Sequence, residues 1–318
     1  MNQNREVVLV TGAGSGFGLA TTLLLASEGY RVFGSVFNAK EEEDLRREAA
    51  SRGLTVETLR TDVTRQEQID HSIQQLMQAA GRIDAVVQYA GLALRGFFED
   101  LEMDEIRRLY DVNVFGVMAV TKAVLPIMRV QRSGRIVITT SAAGRMGTMS
   151  IGGYCSGKFA LEGMAECLRQ EMAPFNVHVS CIEPGLVATP HFTVHRNRGR
   201  RAVDPSSPYY LWFCQHEKIV DDIMARNKWG VEEVAAAALR VLRSRRPPLH
   251  NIVGFKAKLL INLKRYSPFE WFETWYWGVV RKLVTRPKVQ CTALSGLEHQ
   301  FSGLAPAAGA APAVRQGQ

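Results

Sequence analysis

Apolar residues fall into two kinds of run along this chain, and the two kinds alternate. Short β-branched or apolar runs occupy 6–10, 30–36, 55–60, 83–89, 136–140, 177–182 and 251–254. Continuous apolar runs of this length predict strands covered on both faces. The stretches between them carry helical patterns, at 39–52, 69–80, 103–130 and 230–242. Regular strand–helix alternation predicts an α/β fold: a doubly wound parallel sheet of about seven strands, with helices on both faces. Right-handed crossovers then bring every strand C-terminus to one edge, where ligands bind.

The pattern breaks at three places. Residues 191–210 have little periodicity and carry Arg196, Arg198, Arg200 and Arg201; the expectation is a mobile lid, 191–230, belonging to a domain 1–254. Beyond it, 255–265 is basic and amphipathic. Ser267-Pro268-Phe269-Glu270 then reads as a helix start, with a serine cap and a proline at the first position. The helix after it bears Trp271, Phe272, Trp275, Tyr276 and Trp277 on more than one face, near Arg281 and Lys282. Such an extension, 255–290, suits a membrane interface; a dimer contact and a lid over an apolar pocket are the alternatives. The Ala/Gly/Pro-rich end, 291–318, is expected to be a disordered tail.

Charge sharpens this division. The net charge is +8, yet residues 1–239 hold 26 basic and 28 acidic side chains, whereas 240–290 hold 12 and 2. The basic character therefore belongs to the extension and its partner. Five cysteines without a CxxC pair favour reduced thiols and a cytoplasmic protein, membrane-associated if the extension docks. No signal peptide, spanning segment of roughly 18 to 20 apolar residues or nucleic-acid motif is expected.

The chemistry concentrates at the strand ends. Strand 6–10 runs into a glycine loop, Gly12, Gly16 and Gly18 with Ser15 between them, and then an apolar helix. Small residues admit a pyrophosphate to the backbone, and the helix N-terminus attracts it. Strand 136–140 ends at Ser141, and Tyr154 and Lys158 follow four apart, on one helix face. A hydroxyl, a phenol and an ammonium together form a proton-transfer device. Asn113, inside an otherwise apolar helical pattern, needs a polar partner, which a local kink would supply. Strand 177–182 is broken by Pro184 and Gly185, with Thr189 free to meet a ligand or a turn. His191 and His195 are four apart but lack a third ligand, so no metal is expected.

TGAGSGFG, Asp62-Val63, Ala90-Gly91, DVNVFG, Ser141, YCSGK and PGLVAT, in this order over about residues 5–260, resemble the short-chain dehydrogenase/reductase family. SGFG, GGYCSGKFALEGMAECLRQEM and VSCIEPG are most similar to its retinol and hydroxysteroid dehydrogenase branch. The resemblance implies a Rossmann-type sheet and an NAD- or NADP-dependent oxidoreductase that interconverts an alcohol and a ketone or aldehyde. The substrate would be lipophilic: steroid-, retinoid- or polyketide-like. Tyr154 would be the general acid/base, its phenol lowered by Lys158. Ser141 would hold the substrate oxygen, and Asn113 would extend the proton relay. Gly12, Ser15, Gly16, Phe17, Gly18, Phe37, Asp62, Val63, Ala90, Gly91, Tyr154, Lys158, Pro184, Gly185, Val187 and Thr189 would line the cofactor. A homo-oligomer is implied, and no nucleic-acid partner. A dinucleotide-binding sensor or scaffold without catalysis is the alternative.

The sequence departs from the family pattern twice. Tyr89 stands where Asn is usual, which puts the local support of the sheet edge in question. Strand two ends Val36-Phe37-Asn38, with neither the acid that favours NAD nor the base that favours NADP; the lean is slightly to NAD.

Overall fold

The structure is a computed structural model and describes residues 5–187, 197–226 and 230–285, with the side chain of Phe269 set aside. Thr189, His191, His195 and the tail expected at 291–318 lie outside the described residues.

Seven strands form one parallel sheet: β1 (Val7–Thr11), β2 (Arg31–Val36), β3 (Glu57–Arg60), β4 (Ala85–Gln88), β5 (Gly134–Thr139), β6 (Val177–Pro184) and β7 (His250–Val253). Their order is β3-β2-β1-β4-β5-β6-β7. The winding direction reverses between β1 and β4, which opens a crevice at their C-terminal ends. Successive residues of β1 serve opposite faces. Val7 and Leu9 join one core with α3 (Gln66–Ala80), α5 (Val117–Gln131) and α6 (Gly152–Met172). Val8 and Val10 join the other with α1 (Gly16–Ser27), α2 (Ala39–Ser51) and α8 (Val231–Arg243). The doubly wound sheet expected from the sequence is present, because each strand buries both faces.

The kink expected at Asn113 is present: α4 (Met103–Tyr110) passes into a π-helical turn, Asp111–Gly116, before α5. Three features differ from expectation. The whole helical run Met103–Gln131 is long and apolar enough to cross a membrane, which corrects the expectation that no stretch is. It packs in the core instead: Val117, Val120, Val124 and Met128 lie within 4% of full burial. Cys214 is disulfide-bonded, although Cys155, Cys167 and Cys181 are free. Reduced thiols throughout are therefore the wrong expectation at Cys214, since cysteine spacing without a CxxC pair does not exclude a disulfide. Finally, the segment expected to be a mobile lid, 191–230, contains a helix, α7 (Tyr210–Ala225), whose Phe213, Val220 and Met224 are buried.

The C-terminal extension forms α9 (Phe255–Tyr266) and α10 (Phe269–Val284). Pro268, not Ser267, is the residue that caps α10, with no side-chain cap bond. Proline's fixed φ starts the helix one position later than the serine rule places it. Phe272 and Val284 are buried toward the body, and the Tyr276 hydroxyl donates to Thr148 Oγ1 at 3.1 Å. Trp271, Trp275 and Trp277 remain outside, 54%, 40% and 54% exposed.

Candidate active site

Ser141 lies two residues past the end of β5, and its extended backbone turns the chain into a short 3₁₀ segment, Ala142–Gly144. Its Oγ accepts from Ala143 N–H at 3.1 Å, and its hydroxyl also lies 3.4 Å from the Pro184 carbonyl oxygen at the end of β6. The side chain is thereby held between two strand ends, where it hydrogen-bonds Tyr154. Tyr154 and Lys158 lie on α6 one turn apart, with the ammonium 5.5 Å from the phenol ring centre. Gly144 packs against the Lys158 backbone, where an added Cβ would come within 3.0 Å of its carbonyl oxygen.

Burial governs both groups. It raises the Tyr154 phenol to about 12, against the lowering effect of the Ser141 hydrogen bond. In the protein alone this outweighs the lowering expected from Lys158. Burial also pulls the Lys158 ammonium down to about 8, opposed by the negative field of Glu162. Lys158 donates to the Thr139 carbonyl oxygen at 2.8 Å, which satisfies one of its three protons in a site only 7% exposed.

Asn113 occupies the π-helical turn and is 1% exposed. Its Oδ1 accepts from Leu92 N–H at 2.6 Å and its Nδ2 donates to the Leu92 carbonyl at 2.7 Å. The polar partner demanded by the sequence is thus the backbone that follows Ala90-Gly91, and the kink is the π turn. Gly157 leaves room for Val114, so this turn lies directly against α6.

The glycine loop has the shape a dinucleotide requires. Gly12 has φ +68°, and a Cβ there would meet Ala90 N at 2.7 Å; at Gly18 it would meet the Gly12 carbonyl oxygen at 2.0 Å. Gly16 starts α1 with φ +52°. These positions admit no side chain, and they leave backbone amides and the α1 N-terminus at the crevice. Asp62 accepts from Thr64 N–H and hydroxyl at 2.9 and 2.7 Å, closing the turn after β3. It does not cap α3, whose N-cap is Arg65. Val63 sits under Gly116, Phe37 is half-exposed at the end of β2, and Val187 is buried after Pro184-Gly185.

Tyr89 solves its local problem differently from asparagine. Its hydroxyl accepts from Thr21 on α1 at 2.9 Å, and its ring packs 6.2 Å from that of Phe17. Burial holds its phenol well above the ordinary tyrosine range.

Two buried charge clusters had no signal in sequence spacing. Behind Lys158, the ligand atoms of Glu162, Glu183 and His250 lie within 4.8 Å of one another. Arg145 supplies the positive charge there: its Nη1 is 2.8 Å from His250 Nδ1 and 3.7 and 3.8 Å from the two carboxylates. Burial raises Glu183 to about 8, reinforced by Glu162. On the other side, Glu217 of α7 pairs with Arg95 at 3.0 Å and Arg198 at 2.8 Å, and its neighbour His216 bonds Ser150 Oγ at 2.7 Å. Ser150 has φ +60° and lies four residues before Tyr154, so this cluster fixes α7 to the approach to α6.

The family profile described as short chain dehydrogenase matches residues 6–199. The chain belongs to the short-chain dehydrogenase/reductase family. Like the rest of the family it is an NAD(P)-dependent oxidoreductase acting on CH–OH groups. Human 17-beta-hydroxysteroid dehydrogenase type 1 is 34% identical over 83% of this chain and 82% of its own length. Human retinol dehydrogenase 8 is 31% identical over 81% and 85%, respectively. A 3-ketodihydrosphingosine reductase of Bacteroides thetaiotaomicron is 32% identical over 78% and 88%. Among solved structures, a short-chain dehydrogenase from Streptomyces avermitilis superposes with a TM-score of 0.72 at 28% identity, over 88% of this chain and 98% of that one. Within this short-chain dehydrogenase/reductase the family motifs meet at one sheet edge: the glycine loop after β1, Asn113 beside Leu92, Ser141 after β5, and Tyr154 and Lys158 on α6.

Proposed function

We propose that the protein interconverts an alcohol and its ketone or aldehyde on a lipophilic substrate of steroid-, retinoid- or polyketide-like character, with Tyr154 as general acid/base. The observation that carries this reading is the Ser141–Tyr154–Lys158 arrangement on α6 and β5. The nicotinamide dinucleotide, when bound, donates or accepts the hydride. Gly12, Gly16, Gly18, Asp62, Val63, Ala90, Gly91 and the segment after Pro184 would hold it.

In the reductive direction the Tyr154 phenol gives its proton to the substrate oxygen, and the Ser141 hydroxyl donates to the same oxygen as charge grows there. In the oxidative direction the phenol must first lose its proton. A phenol at about 12 is a poor base precursor near neutrality. A charged Lys158 ammonium beside it favours the phenolate by opposite charge. Asn113 holds the Leu92 backbone against α6 and so fixes the floor of this site.

The extension is read as a peripheral membrane contact. The extension that carries the outward tryptophans also carries exposed Lys256, Lys258, Arg265, Arg281 and Lys282, the side-chain types of a bilayer interface. Its inward face, through Tyr276 and Thr148, closes on the loop that precedes Tyr154, which suits a substrate arriving from lipid. A homo-oligomer is supported by Phe115 and Phe159, 57% and 44% exposed, at the π turn and on α6.

The test is a panel of lipophilic alcohols and ketones assayed with both dinucleotides, on the wild type and on Tyr154→Phe. Turnover by the wild type, lost by at least about 1,000-fold in the variant with dinucleotide binding retained, is expected. Dinucleotide binding without turnover of any panel member by the wild type would instead point to a sensor.

A further inference from the structure

In dinucleotide-binding sheets an acidic side chain about 20 residues beyond the glycine loop, at the end of the second strand, receives the adenosine ribose hydroxyls. Here that strand ends Val36-Phe37-Asn38, and none of the three is acidic. The structure brings a carboxylate to the place by another route. Asn38 caps α2, accepting from Glu41 N–H at 2.9 Å. Glu41 then folds back along the first turn of α2, and its Oε2 accepts from Phe37 N–H at 2.9 Å. Its side chain lies flat on Gly14 of the glycine loop: a Cβ on Gly14 would come within 2.7 Å of both Glu41 Cβ and Oε2.

An ordinary capping box returns the third helical residue to the N–H of the cap residue itself. Glu41 passes that amide and reaches one residue further, to the strand end. It therefore bridges the end of β2 and the glycine loop, the two elements between which the ribose sits. The surrounding charges leave it available. Glu42 takes up Arg46 at 2.7 Å and Arg60 at 3.3 Å, Arg65 lies 3.8 Å from Asp62, and Lys40 is exposed. Among the described residues no basic side chain comes within ion-pair distance of Glu41.

We infer that Glu41 is the ribose-binding acid of this enzyme and sets its preference for NAD(H) over NADP(H). One carboxylate oxygen holds the Phe37 amide, and the other is left to accept from a ribose hydroxyl. A 2′-phosphate would be brought against the same carboxylate, with no guanidinium to neutralise it. The inference rests on the dinucleotide-dependent reading above and adds the residue that discriminates.

The test is equilibrium titration of the full-length protein with NADH and with NADPH, followed by nucleotide fluorescence, for the wild type, Glu41→Gln and Glu41→Ala. Glutamine keeps an acceptor for Phe37 N–H, so thermal unfolding of Glu41→Gln should match the wild type. The wild type is expected to bind NADH more tightly than NADPH by at least about tenfold. Glu41→Gln should tighten NADPH and loosen NADH, shrinking that ratio by about tenfold, and Glu41→Ala should shrink it as well. A wild type that prefers NADPH, or a ratio the same in all three proteins, overturns the assignment. A wild type that binds neither nucleotide overturns the dinucleotide-dependent reading itself, and this assignment with it.

Discussion

Lys158 donates to the carbonyl oxygen of Thr139 at 2.8 Å, so the ammonium on α6 is moored to the last residue of β5, two positions before Ser141. The bond explains how a flexible four-carbon side chain is fixed beside Tyr154. It also places a charge where burial opposes it, and the ammonium is pulled from 10.5 down to about 8.

That depression makes a stability claim. Between pH 8 and 10.5 the unfolded chain keeps the Lys158 proton while the folded one has released it, so the unfolded state binds more protons. Stability contributed by this group therefore rises as pH climbs through that window, and below it the cost of the buried charge is felt in full. Urea unfolding of the wild type and Lys158→Met at pH 7.5 to 10.5 isolates the effect. The difference between the two should shift toward the wild type with rising pH, by on the order of 2–3 kcal/mol. Parallel pH profiles would show that Lys158 titrates normally.

The Asn113–Leu92 pair predicts a large loss from a small change. Asn113→Ala leaves both the N–H and the C=O of Leu92 without partners in a site that is 1% exposed for the asparagine. Two unpaired buried backbone groups cost about 2–4 kcal/mol together. Chemical denaturation should show that loss, and the folded fraction should also lose turnover, because Leu92 and α6 are no longer held in register. A variant with wild-type stability would mean that water replaces the amide without cost.

Most of the fold was readable because strand and helix periods differ and the sheet is buried on both sides. Val7-Val8-Leu9-Val10 must serve two cores, and an uninterrupted apolar run is what that geometry writes into a sequence. Glycine at 12 and 18 was readable for a similar reason: the backbone approaches within 3 Å and no other residue fits. What escaped were relationships between side chains brought together only by folding. Glu41 reaching Phe37, Glu162 meeting Glu183 and His250, and Glu217 pairing with Arg95 and Arg198 have no fixed spacing. Helix α7 escaped because its buried positions, Phe213, Val220 and Met224, are interleaved with charged residues that face a surface and with polar ones that enter the Glu217 cluster.

Tyr89 illustrates how a departure from the family pattern is compensated. Its hydroxyl gives the fully buried Thr21 hydroxyl an acceptor across the α1–β4 interface. Tyr89→Phe should destabilise by about 1–2 kcal/mol, since Thr21 is left unpaired. Adding Thr21→Val removes the orphan and should recover most of the loss. Thermal or urea unfolding of the two single variants and the double variant forms the cycle; an additive double variant would show that the two hydroxyls do not interact.

The two faces of α10 predict separable effects. Phe272 and Val284 are 0% and 1% exposed and hold the helix to the body, whereas Trp271 and Trp275 stack on each other 6.2 Å apart on the outside. Trp275 also packs 5.8 Å from the buried Phe272 ring, so the outward face is tested at the other two rings. Replacing Trp271 and Trp277, both 54% exposed, by Ser should leave the unfolding temperature within a degree or two of the wild type, because exposed positions seldom contribute more than about 0.5 kcal/mol. With phosphatidylcholine–phosphatidylserine vesicles, the wild type should pellet and the double variant should stay in the supernatant, weakened by at least about tenfold. Raising salt should weaken the wild type only in part, since it screens Lys256, Lys258, Arg265, Arg281 and Lys282 but leaves the ring contribution intact. Equal pelleting of both proteins would remove the tryptophan face from the membrane reading, and loss of thermal stability in the variant would place those rings in the fold instead.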